Sequence, residues 1–361
     1  MNSLHVRLQL QRKSGFQLEL DSCIPGTGFS AVYGPSGCGK TSLLYCLAGL
    51  IRAGSDSEIR FGEQIWQRGD QFLPTHRRRV GLVFQDARLF PHLSVDGNLA
   101  YAEKRRHPAT GPSRDQVCEW LQLQNLQGRR SSELSRGQQQ RVAIARALLG
   151  APDILLMDEP LANIDLASRS QILGHLERLQ RESQLPIVYV SHDMEEIARL
   201  ADWLLVMQEG RIIAEGPMLD LCSHLQLALA HEEQAAAIVT ASVVKQDREY
   251  GLTELSLEGQ SVTVTTVDAA PGTRMRLRIP ARDISLCLNR PEQTSILNVL
   301  SARIVEIEAT GSSKLLVRLQ LGEQYLLARL TRKSIAALRL TPGQQVFAQI
   351  KTVALLSHVQ S

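Results

Sequence analysis

Hydrophobic and polar positions divide this chain into two differently patterned parts. Residues 4–10 (LHVRLQL) and 16–20 alternate apolar with polar on either side of Gly15, which predicts a strand hairpin. Four uninterrupted apolar runs follow, at 29–33, 80–84, 154–157 and 187–190, the pattern of short strands buried on both faces of a parallel sheet. Each run stops at a polar or glycine-bearing turn: Gly34, Gln85-Asp86, Asp158-Glu159 and Ser191-His192-Asp193. Helical spacing fills the intervals. It begins at 42–50, returns at 138–149 with Val142, Ile144, Ala145 and Leu148, and again at 166–182 with Ile172, Leu173, Leu176 and Leu179 behind an Asp165 cap. A polar helical insertion is expected over 97–127, broken at Pro108, Gly111 and Pro112; a short helix over 194–200 and a hairpin at 203–207 and 211–214 complete an α/β domain.

Beyond about residue 230 the period changes from helical to alternating. Runs at 238–244, 252–257, 262–267, 275–279, 299–307, 315–319, 325–330 and 345–350 are separated by turns such as Glu258-Gly259, Pro271-Gly272 and Pro342-Gly343, with one helical stretch at 332–338. That spacing predicts a small barrel. The expected organisation is an α/β domain over 1–230, a β-rich connecting segment over 231–290, and an OB-like barrel over 291–361.

Composition changes this picture little. The 361 residues suffice for two or three domains, and 43% apolar with 21% charged residues is ordinary for a protein with real cores. A formal charge of +3 is too small a bias to argue for nucleic acid, and the basic cluster at 77–79 is short. Six scattered cysteines without a CxxC pair read as reduced, packed thiols. The N-terminal residues have no apolar h-region, so no secretory signal is expected, and no apolar run is long enough to cross a bilayer. Any membrane role would be peripheral, through a partner.

The chemistry lies at the ends of the apolar runs. Gly34-Pro35-Ser36-Gly37-Cys38-Gly39-Lys40-Thr41, then Ser42, stand between a strand and a helix, the context of a phosphate-binding loop. Gly34, Gly37 and Gly39 let backbone amides turn inward around a phosphate at a helix N-terminus, Lys40 would reach the β and γ phosphates, and Thr41 would offer its hydroxyl to Mg²⁺. Asp158 and Glu159 suit a metal and a water to be activated. Gln85 can hold magnesium or the attacking water, while His192 suits a phosphate contact. Ser135, Arg136, Gly137 and Gln138 precede a long helix, giving a second anion-binding end in the same chain. Because the phosphate loop already has a helix N-terminus of its own, the second one points to a site completed by another subunit.

These motifs, in this order over roughly the first 220 residues, resemble the nucleotide-binding subunit of ABC transporters. Two positions depart from that pattern: Arg136 stands in place of the first of two glycines, and Ala162-Asn163-Ile164-Asp165 replaces Ser-Ala-Leu-Asp. The segments 293–300, 331–334 and 348–351 resemble the molybdate-binding (Mop-like) barrel, and QDARLFPHLSV resembles the corresponding loop of molybdate importer ATPases. The resemblance implies ATP hydrolysis with Mg²⁺, driving import of molybdate or tungstate. Glu159 would polarise water, His192 and Gln85 would complete the catalytic set, and Thr41, Gln85 and Asp158 would hold the metal. Ser135 to Gln138 would act in trans in a homodimer. Phe16 is the candidate for stacking on adenine. The implied partners are a membrane-spanning permease and, indirectly, a periplasmic molybdate-binding protein, with no nucleic acid; the implied place is the cytoplasmic face of the inner membrane. Ser295, Asn298, Ser334 and Lys351 are the matching candidates for holding an oxyanion. Sulfate or another cargo, or a soluble ABC ATPase without transport, are the alternatives.

Overall fold

The computed structural model describes residues 3–12, 15–106, 111–225 and 235–351, and the backbone of 356–359. The chain separates into two compact units, residues 1–215 and 216–361. The expected boundary at 230/231, and Pro108 within the helical insertion, lie outside the described residues.

In the first unit the apolar runs become one six-stranded sheet. Its order is Arg211–Pro217, Trp203–Gln208, Phe29–Tyr33, Ile187–Val190, Ile154–Asp158 and Val80–Val83. From Trp203–Gln208 to Val80–Val83 every neighbouring pair is parallel. Phe29–Tyr33, Ile154–Asp158 and Ile187–Val190 are buried throughout, which explains their lack of alternation. The predicted strand at 80–84 ends one residue earlier, at Val83. The first helix spans Lys40–Ala48, so Lys40 and Thr41 are its opening residues. Helices Arg136–Leu149 and Leu166–Glu182 lie where the periodicity predicts, capped by Ser135 and Asp165, whose side chains accept the N–H groups of Gln138 and Ser168. The insertion holds helices Val95–Glu103 and Arg114–Trp120, which share an apolar core with helix Arg136–Leu149.

A second sheet in this unit was only half expected. The hairpin Leu4–Gln11 and Gln17–Ile24 is present, but it continues into Glu58–Phe61, Gln64–Arg68 and Gln71–Phe72. Arg78, part of the short basic cluster, is buried beside it. Its guanidinium donates to the carbonyls of Cys46 and Leu47 at 2.7 Å each, capping the C-terminal end of the phosphate-loop helix, and it lies 5.4 Å from the Trp66 ring centroid. Burial lowers its pKa to about 10.

The second unit contains two five-stranded antiparallel sheets around one core. The first runs Gln260–Thr265, Leu252–Leu257, Ala236–Asp247, Arg274–Pro280, Leu356–Val359; the second runs Ile284–Cys287, Gln345–Ile350, Asn298–Thr310, Lys314–Leu321, Gln324–Thr331. Ile284–Cys287 and Leu356–Val359 cross the division expected at 290/291: each pairs with strands from the other side of it. Three side-chain amides join the two sheets as a backbone group would. Asn298 bonds to the N–H and C=O of Thr263 (2.6 and 2.9 Å), Gln260 to those of Ser301 (2.7 and 3.0 Å), and Gln324 to those of Thr240 (2.6 and 2.9 Å).

Candidate active site

The sheet order brings three polar strand ends side by side. The strand leading to the phosphate loop neighbours the one ending before Ser191-His192, which neighbours the one ending in Asp158. Ligand sites of open α/β sheets form where the chain departs from the carboxyl ends of such strands.

Gly37 and Gly39 adopt φ of 82° and 109°, the left-handed region in which a glycine costs least, so the loop can turn its amides inward. Gly34 and Gly39 are also required by contact. A Cβ on Gly34 would lie 2.2 Å from the Met207 carbonyl, and one on Gly39 would lie 2.9 Å from the Phe16 ring. Lys40 is buried, and its ammonium donates to the carbonyls of Gly34 (2.7 Å) and Pro35 (3.1 Å) while lying 3.9 Å from Glu159. The loop thus holds a cation over its own mouth. A cavity of about 370 Å³ is lined by Arg12, Phe16, Ser36, Gly37, Gly39, Lys40, Thr41, Ser42 and Glu159.

The carboxylates divide the remaining work. Asp158 is buried and accepts a 3.0 Å hydrogen bond from the Thr41 hydroxyl; burial pushes its pKa up, and Thr41 opposes that rise. An acid so desolvated is suited to a cation arriving beside it, and the donor set of hydroxyl, carboxylate and neighbouring phosphate oxygens fits Mg²⁺, a hard ion usually held by few protein ligands. Glu159 sits at φ 43°, a left-handed conformation that costs a non-glycine residue on the order of 1 kcal/mol. The turn delivers its Oε2 to 3.1 Å from His192 Nδ1 and its Oε1 toward Lys40. The residues flanking His192 are fixed: the Ser191 hydroxyl accepts the Asp193 N–H at 3.0 Å and donates to buried Glu196 at 2.7 Å, and Arg169 pairs with both Asp193 and Glu196.

Gln85 and the signature residues stand apart from this group. Gln85 is exposed, beyond the strand end. Ser135 and Gln138 form a reciprocal cap, each side chain bonding the other's N–H at 3.3 and 3.0 Å. Gly137 packs so close to Ser168 that a Cβ there would approach the serine Cβ to 2.7 Å. Arg136 is exposed in the first turn of the helix and reaches the Asn163 carbonyl at 3.4 Å, so the departure from glycine at 136 meets no steric obstacle, whereas one at 137 would.

Two residues of the site were missed from the sequence. Arg12 lines the cavity from the turn of the first hairpin. Tyr45, one helical turn after Thr41, lies beside Asp158 and packs edge-on against Phe84 at 6.1 Å. Its i+4 spacing from Thr41 was the available signal.

The four oxyanion candidates of the second unit are differently employed. Asn298 is wholly buried and bound to Thr263. Ser334 lies in the first turn of helix Arg332–Leu338, its hydroxyl 2.8 Å from that of the capping Thr331. Ser295 and Lys351 are exposed.

A serine-capped, glycine-bearing turn standing apart from the chain's own phosphate loop distinguishes ATP-binding cassette ATPases from other phosphate-loop enzymes, and this chain is of that class. A family profile described as ABC transporter matches residues 20–162, and one described as TOBE domain matches 294–356. The fold is shared by cbiO1 from Clostridium perfringens, part of the ABC transporter complex cbiONQ, with TM-score 0.53 and 27% identity over 60% of this chain and 89% of that one. A dimeric ATP-binding cassette bound to ADP and Pi shares it at TM-score 0.51 and 24% identity, over 60% of this chain and 98% of that one. Curated relatives match from end to end. The molybdenum import ATP-binding protein ModC of Methylococcus capsulatus is 44% identical over 99% of this chain and 100% of its own length. That of Thiobacillus denitrificans is 47% identical over 95% of each. The chain belongs to the ModC family of molybdenum import ATP-binding proteins. Among the described residues no helix is long and apolar enough to cross a membrane.

Proposed function

We propose that this chain hydrolyses ATP to drive molybdate, and by the same chemistry tungstate, through a membrane-spanning partner. The observation that carries the reading is the linked set Lys40, Thr41–Asp158 and Glu159–His192 around one cavity, in a chain that aligns over its whole length with molybdenum import ATP-binding proteins.

The geometry supports the following roles. The amides of Gly34, Ser36, Gly37, Cys38 and Gly39 and the Lys40 ammonium hold the triphosphate, Pro35 contributes only its carbonyl to the Lys40 ammonium, Ser42 borders the same cavity, and Phe16 faces the base. Thr41 and Asp158, joined by Gln85, would hold Mg²⁺, which neutralises charge on the phosphates. Glu159 orients and accepts a proton from the attacking water; His192, pinned against Glu159, steadies the γ-phosphate. Ser135, Arg136, Gly137 and Gln138 act on the nucleotide of a second copy. Proton removal in one chain and phosphate capture by its partner make hydrolysis a property of the pair.

Energy then passes to a permease at the cytoplasmic face of the inner membrane, with cargo delivered from a periplasmic binding protein. In the second unit Ser295 and Lys351 are the oxyanion contacts proposed, while Asn298 joins the two sheets through Thr263. The test is accumulation of molybdate in vesicles carrying the permease and this chain. Uptake should require internal ATP, vanish with Glu159→Gln, and compete with tungstate. Competition by sulfate at equal concentration would overturn the cargo.

A further inference from the structure

The loop carrying Gln85 is gripped on both sides by the helix that carries the signature turn. On the near side, Gln140 is buried and its Nε2 donates to the Phe84 carbonyl at 3.2 Å. On the far side, Arg146 donates to the Arg88 carbonyl at 2.9 Å and the Ala87 carbonyl at 3.3 Å. Its guanidinium also lies 5.1 Å from the Phe90 ring centroid and 3.4 Å from Asn98 Oδ1. Asn98, wholly buried, in turn bonds both the N–H (2.9 Å) and the C=O (3.3 Å) of Phe90. Within the bracket the loop closes on itself: Arg88, at φ 43°, lays its guanidinium 4.0 Å from the Phe84 ring centroid.

We propose that Gln140 and Arg146 are positioning residues for Gln85, through which helix Arg136–Leu149 and the Gln85 loop move as one body. Burying a guanidinium against carbonyls costs desolvation, and burial does lower the pKa of Arg146. What the arrangement secures is direction. Ser135 and Gly137 stand at the N-terminal end of this helix, Gln140 and Arg146 further along it, and an α-helix is stiff over that length. Seating the signature turn on a partner's nucleotide would therefore carry Gln85 with it. This rests on the reading of Gln85 as a group that meets magnesium or water at the active site.

The test is a double-mutant cycle on the full chain, reading steady-state Mg·ATP hydrolysis of wild type, Gln85→Ala, Arg146→Met and the double variant. Misplacement of a group by an ångström can cost up to about a hundredfold, so each single substitution should lower kcat by roughly tenfold or more. If Arg146 acts through Gln85, the double variant is no slower than Gln85→Ala, and Arg146→Met binds Mg-free ATP as wild type does. Losses that multiply, the signature of a general structural defect, would overturn the proposal, as would a wild-type rate for Arg146→Met. If Arg146→Met does not fold, Gln140→Leu is read in the same cycle. A wild-type rate for Gln85→Ala alone would instead remove the role of Gln85, and the inference with it.

Discussion

The phosphate loop of the first unit and the oxyanion candidates of the second both begin as polar residues beside apolar strands, and the fold treats them in opposite ways. Around the phosphate loop, polar groups face one another across different strands: Thr41 meets Asp158 at 3.0 Å, Glu159 meets His192 at 3.1 Å, and Lys40 lies over the loop carbonyls. In the second unit the same kinds of residue are absorbed locally. Asn298 substitutes for a strand partner of Thr263, and Ser334 joins a helix cap. The difference lies in topology. Parallel strands deliver all their carboxyl ends to one edge, where side chains converge on one another; antiparallel strands alternate their ends, and polar residues there are consumed in closing the sheets.

The largest effect expected from this contrast is on Glu159. Glu159→Gln should lower kcat about 10²- to 10⁴-fold while leaving ATP binding intact, measured by single-turnover hydrolysis beside equilibrium binding. A normal rate would remove the base assignment. Asn298→Ala should leave hydrolysis unchanged but destabilise the second unit by about 1–3 kcal/mol, because the N–H and C=O of Thr263 lose their partner. Denaturant unfolding followed with a probe in that unit reads the change; loss of oxyanion binding with unaltered stability would reverse the assignment.

Asp158 gives a subtler test. Burial raises its pKa, so the folded chain holds the proton more tightly than the unfolded chain, and stability falls as pH rises from the ordinary carboxylate value of 3.8 through the raised one. Asp158→Asn should therefore be more stable than wild type in Mg-free buffer above that window, with the difference disappearing below it, although its Mg-dependent hydrolysis is lost. Thermal melts across pH would show this; an Asn variant less stable at neutral pH would contradict it. The smallest effects are expected at Ser295 and Lys351. As exposed residues, their alanine variants should alter stability by less than about 0.5 kcal/mol, so a change in molybdate binding seen by calorimetry can be read as contact with the anion.

Much of the first unit was legible because its apolar runs are continuous and its polar motifs sit at their ends. The sheet order was not legible, since nothing in Ile187–Val190 states that it lies between the other two motif-bearing strands. Strands Glu58–Phe61, Gln64–Arg68 and Gln71–Phe72, of 4, 5 and 2 residues, are too short to carry a period. Arg78 read only as part of a short basic cluster and is buried at a helix end, because carbonyls that attract a guanidinium leave no mark in sequence. In the second unit the alternation revealed eight strands but neither Ile284–Cys287 nor Leu356–Val359, four residues each, which pair across 290/291. Asn298 matched a family pattern, yet its side chain meets strand backbone, a use that only three-dimensional pairing reveals.

The central claim is that the signature turn of one copy acts on the nucleotide of another. Sedimentation of the Glu159→Gln chain with saturating ATP tests it most directly. The account predicts a dimer holding two nucleotides, and a monomer that still binds ATP when Ser135→Arg is added. A Glu159→Gln chain that stays monomeric with ATP bound, or a Ser135→Arg change that abolishes ATP binding to the single chain, would contradict it.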